Sequence, residues 1–320
     1  MLRYRLIPSV LLLLAVAVAA PGVAAPRGSR KATRAPRTTN HESRTTILTW
    51  NGNWFPSGRA EHRAHPDVEA ATAVAAGKLL AASLRAADPT GSNAVILVLN
   101  EIRGPRSASN LIERTGIPGL RLASISAYRR RDRFDQQQDV IATTLPVVDH
   151  GWSTWRNEKR ETPPRGYAYA DIVLDPAVTA RVYAVHLKSN YGATTKETRE
   201  LNRAKRAHAV EQLVGQDKKR RYVIVAGDMN ADAWRKEFAE ESIFGLFADA
   251  GFDNHLAALP PERRGTHPSA THGDSALDYI MTRGFVLEGE PHIEPAQDLS
   301  DHSALSLVIS PKRAANVSPR

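Results

Sequence analysis

Gly227-Asp228-Met229-Asn230 follows directly on the apolar run Tyr222–Ala226. A β-branched run of that length reads as a buried strand, so its exit turn delivers a carboxylate and a carboxamide at a strand end. Asp228 can hold a metal or a water, and Asn230 can both donate and accept hydrogen bonds. The same four residues are also ordinary turn chemistry, so a catalytic reading depends on partners elsewhere. Such partners stand at other strand ends. Asn51 follows Thr45–Trp50, Glu101 follows Ala94–Leu99 and Asn100, and His186 closes the run from Arg181. Asp278 opens a strand over Leu277–Thr282, and Asp301 with His302 precedes Ala304–Ile309.

These residues combine oxygen ligands for a hard divalent cation with imidazoles. The chain has no cysteine and no His-x-x-x-His pair, so the donor set points to magnesium or manganese rather than zinc. Each residue alone has a plainer reading. Asn51 suits an Asx turn, Glu101 a loop, His186 or His302 a satisfied interior, and Asp278 or Asp301 a turn. The coincidence of all of them at strand ends carries the functional reading.

The elements that must position these groups are legible in part. Asp67–Ala87 and Thr194–Val214 carry apolar residues at helical spacing, and the first stops at Asp88-Pro89. Tyr167–Leu174 and Arg181–Leu187 read as paired strands around an Asp175-Pro176 turn, Val140–Val148 as a less regular strand, and a helix is expected from about Ala233. Helices alternate with strands early and strands pair mid-chain. That mixture predicts mixed or stacked sheets with helices outside rather than a purely parallel α/β fold.

Residues 1–25 have a basic start, an apolar core and small residues after it, the grammar of a signal peptide. Residues 26–44 read as a basic disordered linker, 45–310 as the folded domain and 311–320 as a basic tail. The net charge of +9 is misleading, because ten of the 43 basic residues lie in ends that hold no acid. Residues 38–310 balance 33 basic against 34 acidic side chains, so the pI does not itself imply a nucleic-acid partner. The expectation is a secreted or periplasmic monomer with no stable membrane span after cleavage.

In this order, WN, NE, VH, GDMN, LDY and SDH resemble the endonuclease/exonuclease/phosphatase superfamily, the deoxyribonuclease I-like metal-dependent phosphoesterases. The resemblance runs from about Thr46 to Ile309. It implies a four-layer α/β/β/α sandwich with two stacked mixed sheets. It implies that Glu101 is the principal metal ligand, with Asn51 and Asp301 beside it, and that Mg2+ or Mn2+ is the cofactor. Asp228 then orients or deprotonates the attacking water, Asn230 contacts phosphate or water, and Asp278 orients His302. His186 would contact the phosphate or the leaving oxygen, although no carboxylate partner for it is evident from sequence. Departures include Asn100 where glutamine is common and Asp139 where glycine is common. His186 stands where the abasic-site repair branch has tyrosine, which argues against a repair role.

The resemblance makes the substrate a phosphate ester, with nucleic acid favoured by Arg103 two residues after Glu101, as in the deoxyribonuclease-like members. Lys188 and the basic run Tyr128–Arg131 with Arg133 could meet a phosphate backbone. His267 and His272 could line the cleft. Sphingomyelin and inositol phosphates are the alternative substrates on the same fold, and a binding protein on an inactive scaffold is the alternative outside enzymes.

Overall fold

Two six-stranded mixed sheets face each other, with helices on their outer sides. The computed structural model describes residues 43–57, 66–130, 133–134, 137–157, 159–271 and 273–313. The expected signal peptide, the linker up to residue 42 and tail residues 314–320 lie outside the described residues. Ser43 and Arg44, at the linker's end, are tied down: Ser43 Oγ donates to Asp175 at 2.7 Å and Arg44 lies 3.8 Å from Glu288.

In chain order the first strands are β1 (Thr45–Phe55), β2 (Ala94–Ile102), β3 (Arg121–Ile125), β4 (Arg129–Arg130), β5 (Arg133–Phe134) and β6 (Gln138–Thr143). There follow β7 (Val147–Thr154), β8 (Gly166–Asp175), β9 (Val178–His186) and β10 (Val223–Asp228). The last are β11 (Asp253–Asn254), β12 (Asp278–Arg283), β13 (Phe285–Glu294) and β14 (Ala304–Pro311). The helices are α1 (Pro66–Ala87), α2 (Pro105–Arg114), α3 (Lys196–Gln216) and α4 (Ile243–Asp249). One sheet runs β13-β14-β1-β2-β6-β3, the other β11-β12-β10-β9-β8-β7, and β4 pairs with β5 in a separate hairpin.

Strand alternation explains the layers. In the first sheet Ile47, Ile96, Val98 and Leu307 pack between the sheets, whereas Leu48, Trp50, Leu97 and Leu99 pack under α1 and α2. Many inward residues of the second sheet are small: Ala168, Ala170, Ala180, Ala184 and Ala226 share that face with Ile172, Val182 and Ile224 and pack with larger side chains of the first sheet. That size complementarity lets the sheets close to interior density. Ala209, Val210 and Leu213 of α3 cover the other side. Among the described residues no helix is long and apolar enough to cross a membrane.

Two expected elements differ. Val140–Val148 is not one strand: β6 ends at Thr143, and β7, after Pro146, joins the edge of the other sheet. No helix starts at Ala233. Asp232 instead accepts from Trp234 N at 2.8 Å and Arg235 N at 3.1 Å, and from Ala276 N at 2.8 Å. Those bonds hold the backbone in a side-chain-capped turn, and the α-helix begins only at Ile243.

Candidate active site

Parallel pairing brings the chemistry to one end of the sandwich. β1 lies parallel to β2, and β9 parallel to β10, so Asn51, Glu101, His186 and Asp228 all stand near carboxyl ends of strands. Register does the rest. Asp228 pairs with His186 on one side and with Asp278 on the other, making a row across three strands. All three are buried.

Glu101 reaches this row through a defect. Plain alternation after Asn100 would turn it towards the helices. Its φ is +58°, and the pairing of β2 slips both between Asn51 and Phe55 and between Leu99 and Ile102. Such a bulge re-aims one side chain at a cost that function justifies. Glu101 Oε2 accepts from Trp54 N at 3.1 Å, and Oε1 from Asn51 Nδ2 at 3.3 Å. Asn53, Trp54 and Asn230 also have positive φ, so unusual backbone gathers here.

Asn51 bridges the two acids, since its Nδ2 also donates to Asp228 Oδ2 at 3.0 Å while its oxygen accepts from Asn53 N at 3.0 Å. It lies beside Glu101, as the sequence leads one to expect, but in this orientation it offers the acids a donor and not an oxygen ligand. Asn230 Nδ2 donates to Asp228 Oδ2 at 2.9 Å and its N–H to Oδ1 at 2.8 Å. His186 gains the neighbours that sequence could not supply: its Nε2 lies 3.6 Å from both Glu101 Oε1 and Asp228 Oδ2, and its buried Nδ1 has no hydrogen-bond partner among the described residues. Burial, then the charges of Arg165 and His302, keep His186 well below the usual imidazole range.

His302 Nδ1 lies 2.7 Å from Asp278 Oδ2, and Nε2 lies 3.9 Å from Asp228 Oδ2. Burial pulls this imidazole down, but the carboxylates of Asp278 and Asp228 outweigh it and hold it up at about 10. Burial, with Asp278 and Glu101 adding to it, pushes Asp228 up to about 7 against the charge of His302. Ser300 fixes the approach of this segment by donating to Asn51 O at 2.7 Å and accepting from His302 N at 3.0 Å. Asp301 turns outward, 53% exposed, with His267 Nε2 3.8 Å away. It groups with His267 and His302 rather than with Glu101.

The expected substrate residues are engaged at the edge. Arg103 Nη2 donates to Ser57 Oγ at 2.8 Å, and Lys188 Nζ to Ser189 O at 2.7 Å. Tyr128 is not a stacking platform beside the basic run, because it is 2% exposed. Arg131 and His272 lie outside the described residues. Sequence reading missed Arg165, which donates to His186 O at 3.0 Å and Leu187 O at 3.3 Å from a loop residue with φ +62°. It missed Arg206 too, fully buried, paired with Glu241 and donating to Lys188 O at 2.6 Å. Its place among the charged residues of α3 gave no signal of that burial.

A divalent cation fits this donor set. Glu101 is a buried carboxylate that pairs with no lysine or arginine among the described residues, and its imidazole neighbour is held neutral. A buried acid without a cation is costly, and oxygen ligands suit a hard ion.

No curated protein sequence matches the chain. Solved structures do. An endonuclease/exonuclease/phosphatase from Beutenbergia cavernae is 15% identical, with a TM-score of 0.58 over 84% of this chain and 72% of that one. Truncated TDP2 of Caenorhabditis elegans is 15% identical, with a TM-score of 0.53 over 83% and 97%. Sphingomyelinase C of Streptomyces griseocarneus is 16% identical, with a TM-score of 0.51 over 82% and 98%. At these identities the likeness is one of fold. The sequence profile of the Endonuclease/Exonuclease/phosphatase family matches residues 48–302, and the chain belongs to that family.

Proposed function

We propose that this chain is an exported, divalent-metal-dependent phosphodiesterase that cleaves nucleic acid by in-line attack of water. Members of the family hydrolyse phosphate esters, and the family is generally dependent on divalent metals. The observation that carries the reading is the buried row of His186, Asp228 and Asp278 facing Glu101, with His302 held charged beside it.

Glu101 would hold Mg2+ or Mn2+, with Asn51 ordering its surroundings and Asp301 supplying charge from the edge. When bound, the ion polarises a phosphate oxygen and offsets charge in the transition state. Asp228 orients the attacking water and takes its proton; a base near neutrality is well matched to that task. Asn230 fixes that carboxylate and contacts the phosphate. His302, kept in one tautomer by Asp278, donates from Nε2 to a phosphate oxygen. His186 stays neutral and meets the phosphate or the leaving oxygen. Arg103 and Lys188 supply positive charge along the substrate. The N-terminal signal grammar supports export.

Sphingomyelin is the competing substrate, because a fold neighbour bears the name sphingomyelinase C. Against it, the large exposed apolar side chains of the described residues are spread over α1, β7, β13 and separate loops. The test uses the mature protein with DNA, RNA, sphingomyelin and inositol phosphates, with magnesium or with chelator. Metal-dependent cleavage of nucleic acid that Asp228→Ala and His302→Ala abolish is the expected result. Turnover confined to sphingomyelin would overturn the nucleic-acid assignment, and turnover on none of them would overturn the enzyme reading.

A further inference from the structure

We propose that Asn100 is a positioning residue that joins the two sheets at the site and sets the height of Asp228, with Asp139 and Tyr128 fixing its orientation. Asn100 belongs to β2 in one sheet, yet its amide reaches two strands of the other. Oδ1 accepts from the backbone N–H of Asp228 at 3.1 Å, and Nδ2 donates to Val185 O at 3.0 Å. A free amide could turn over and present the wrong atoms to both. Asp139 prevents this. Its Oδ1 accepts a second bond from Asn100 Nδ2 at 2.7 Å, while Oδ2 accepts from Tyr128 OH at 2.9 Å. Asp139 is itself held, with its N–H donating to Ser126 Oγ at 2.9 Å, and it is fully buried.

Gly227 gives an independent sign that this contact is built in. Its φ is +136°, and a Cβ there would sit 2.0 Å from Val185 O and 2.7 Å from Asn100 Oδ1. The glycine before Asp228 thus leaves room for the asparagine amide and the strand carbonyl that it grips. Asn51 also joins the sheets through Asp228 Oδ2, but Asn100 is bonded to both β9 and β10, and that double grip sets their offset from β2. That offset sets the distance from Glu101, beside Asn100, to Asp228.

The proposal rests on Asp228 acting in the proposed reaction, and the experiment separates the two. Exchange of the Asp228 backbone amide needs no activity, and Asn100→Leu is expected to accelerate it by about 10-fold. Turnover is read on bis(p-nitrophenyl) phosphate with magnesium. Asn100→Asp keeps the acceptor for Asp228 but turns an oxygen against Asp139 and Val185, and is expected to lower kcat by about 10–100-fold with KM nearly unchanged. Adding Asp139→Asn restores the donor–acceptor pair between positions 100 and 139 but not the bond to Val185 O, and should recover part of kcat with KM still nearly unchanged. If Asn100 variants fail to fold, Tyr128→Phe removes one hydroxyl distant from the chemistry and should still lower kcat about 3-fold at constant KM. Unchanged Asp228 exchange in Asn100→Leu, or no recovery in the double variant, would overturn the proposal. Wild-type protein that turns over neither this diester nor the substrates named above, but with faster exchange in Asn100→Leu, would overturn the proposed reaction and leave the hold of Asn100 on Asp228 standing.

Discussion

Asp228 and Asp301 both act on the charge of His302, yet they occupy opposite regimes. Asp228 ends a central strand and is 2% exposed; Asp301 sits in a loop with its side chain 53% exposed. Burial lifts Asp228 to about 7. For Asp301 the upward push of burial is outweighed by His267 and His302, and its carboxyl stays below the usual range. The floor of the site, built by strand register, is dehydrated and tuned. The edge, built by loops, is wet and supplies charge. The comparison predicts that floor substitutions change the rate of the chemical step, and edge substitutions change affinity.

The largest effect belongs to the floor. Asp228→Ala and His302→Ala should each lower kcat by about 1,000-fold or more, as loss of a buried base or charge-stabilising donor does. Asp301→Ala should lower kcat far less and show mainly as a KM raised by about 10-fold. Steady-state kinetics with magnesium measures this, and equal losses at Asp228 and Asp301 would erase the distinction between the two regions.

Glu101 comes next, because it tests whether the floor holds the ion. At magnesium about 100-fold above its Kd, linkage adds about 2.7 kcal/mol to stability. Wild-type protein should therefore melt several degrees higher with magnesium than with chelator, and Glu101→Gln should not. A shift that survives Glu101→Gln but vanishes in Asp301→Asn would move the ion to the edge.

How much of this was legible depends on which force set each feature. The floor's strands announce themselves as apolar runs, and their ends carry Asp228, His186 and Asp278 where the sequence indicates, whereas Asn51 lies inside β1, which runs on past Trp50 to Phe55. The neighbours of His186 were not legible, because Glu101 reaches it through a bulge and a left-handed backbone that alternation does not foretell. Arg165 is a loop residue 21 positions from His186, and no spacing rule connects them. The expected helix near Ala233 failed for the same kind of reason: Asp232 caps the turn from its own side chain, a local competition that propensity averages conceal. Features set by strand burial are readable; those set by single hydrogen bonds across the fold are not.

A pH experiment sharpens the floor further. His302 is held above its ordinary value, so its contribution to stability is fully present below about pH 6.5 and is lost as pH rises through about 10. Asp278→Asn removes the partner at Nδ1. The stability gap between wild type and Asp278→Asn should be widest near pH 6 and narrow towards pH 10, measured by denaturant titration. A gap independent of pH would mean that Asp278 supports packing rather than the charge of His302.

The smallest effect belongs to the edge and bears on the substrate. Lys188 is partly buried, and burial followed by the charge of Arg165 lowers its pKa, which weakens its hold on a proton. An approaching phosphate favours the charged form and offsets that penalty, so the side chain is suited to meet an anion. Its own bond to Ser189 O and the grip of Arg206 on Lys188 O fix the base from which it reaches. If the substrate is a nucleic-acid backbone, Lys188→Ala should raise KM by a few fold with kcat nearly unchanged and lower the slope of log affinity against log salt by about 1. The same substitution assayed on a small diester, which has no neighbouring phosphates, should show no change in salt slope. A salt slope unaltered on DNA and RNA would remove Lys188 from the substrate path while leaving the floor of the site untouched.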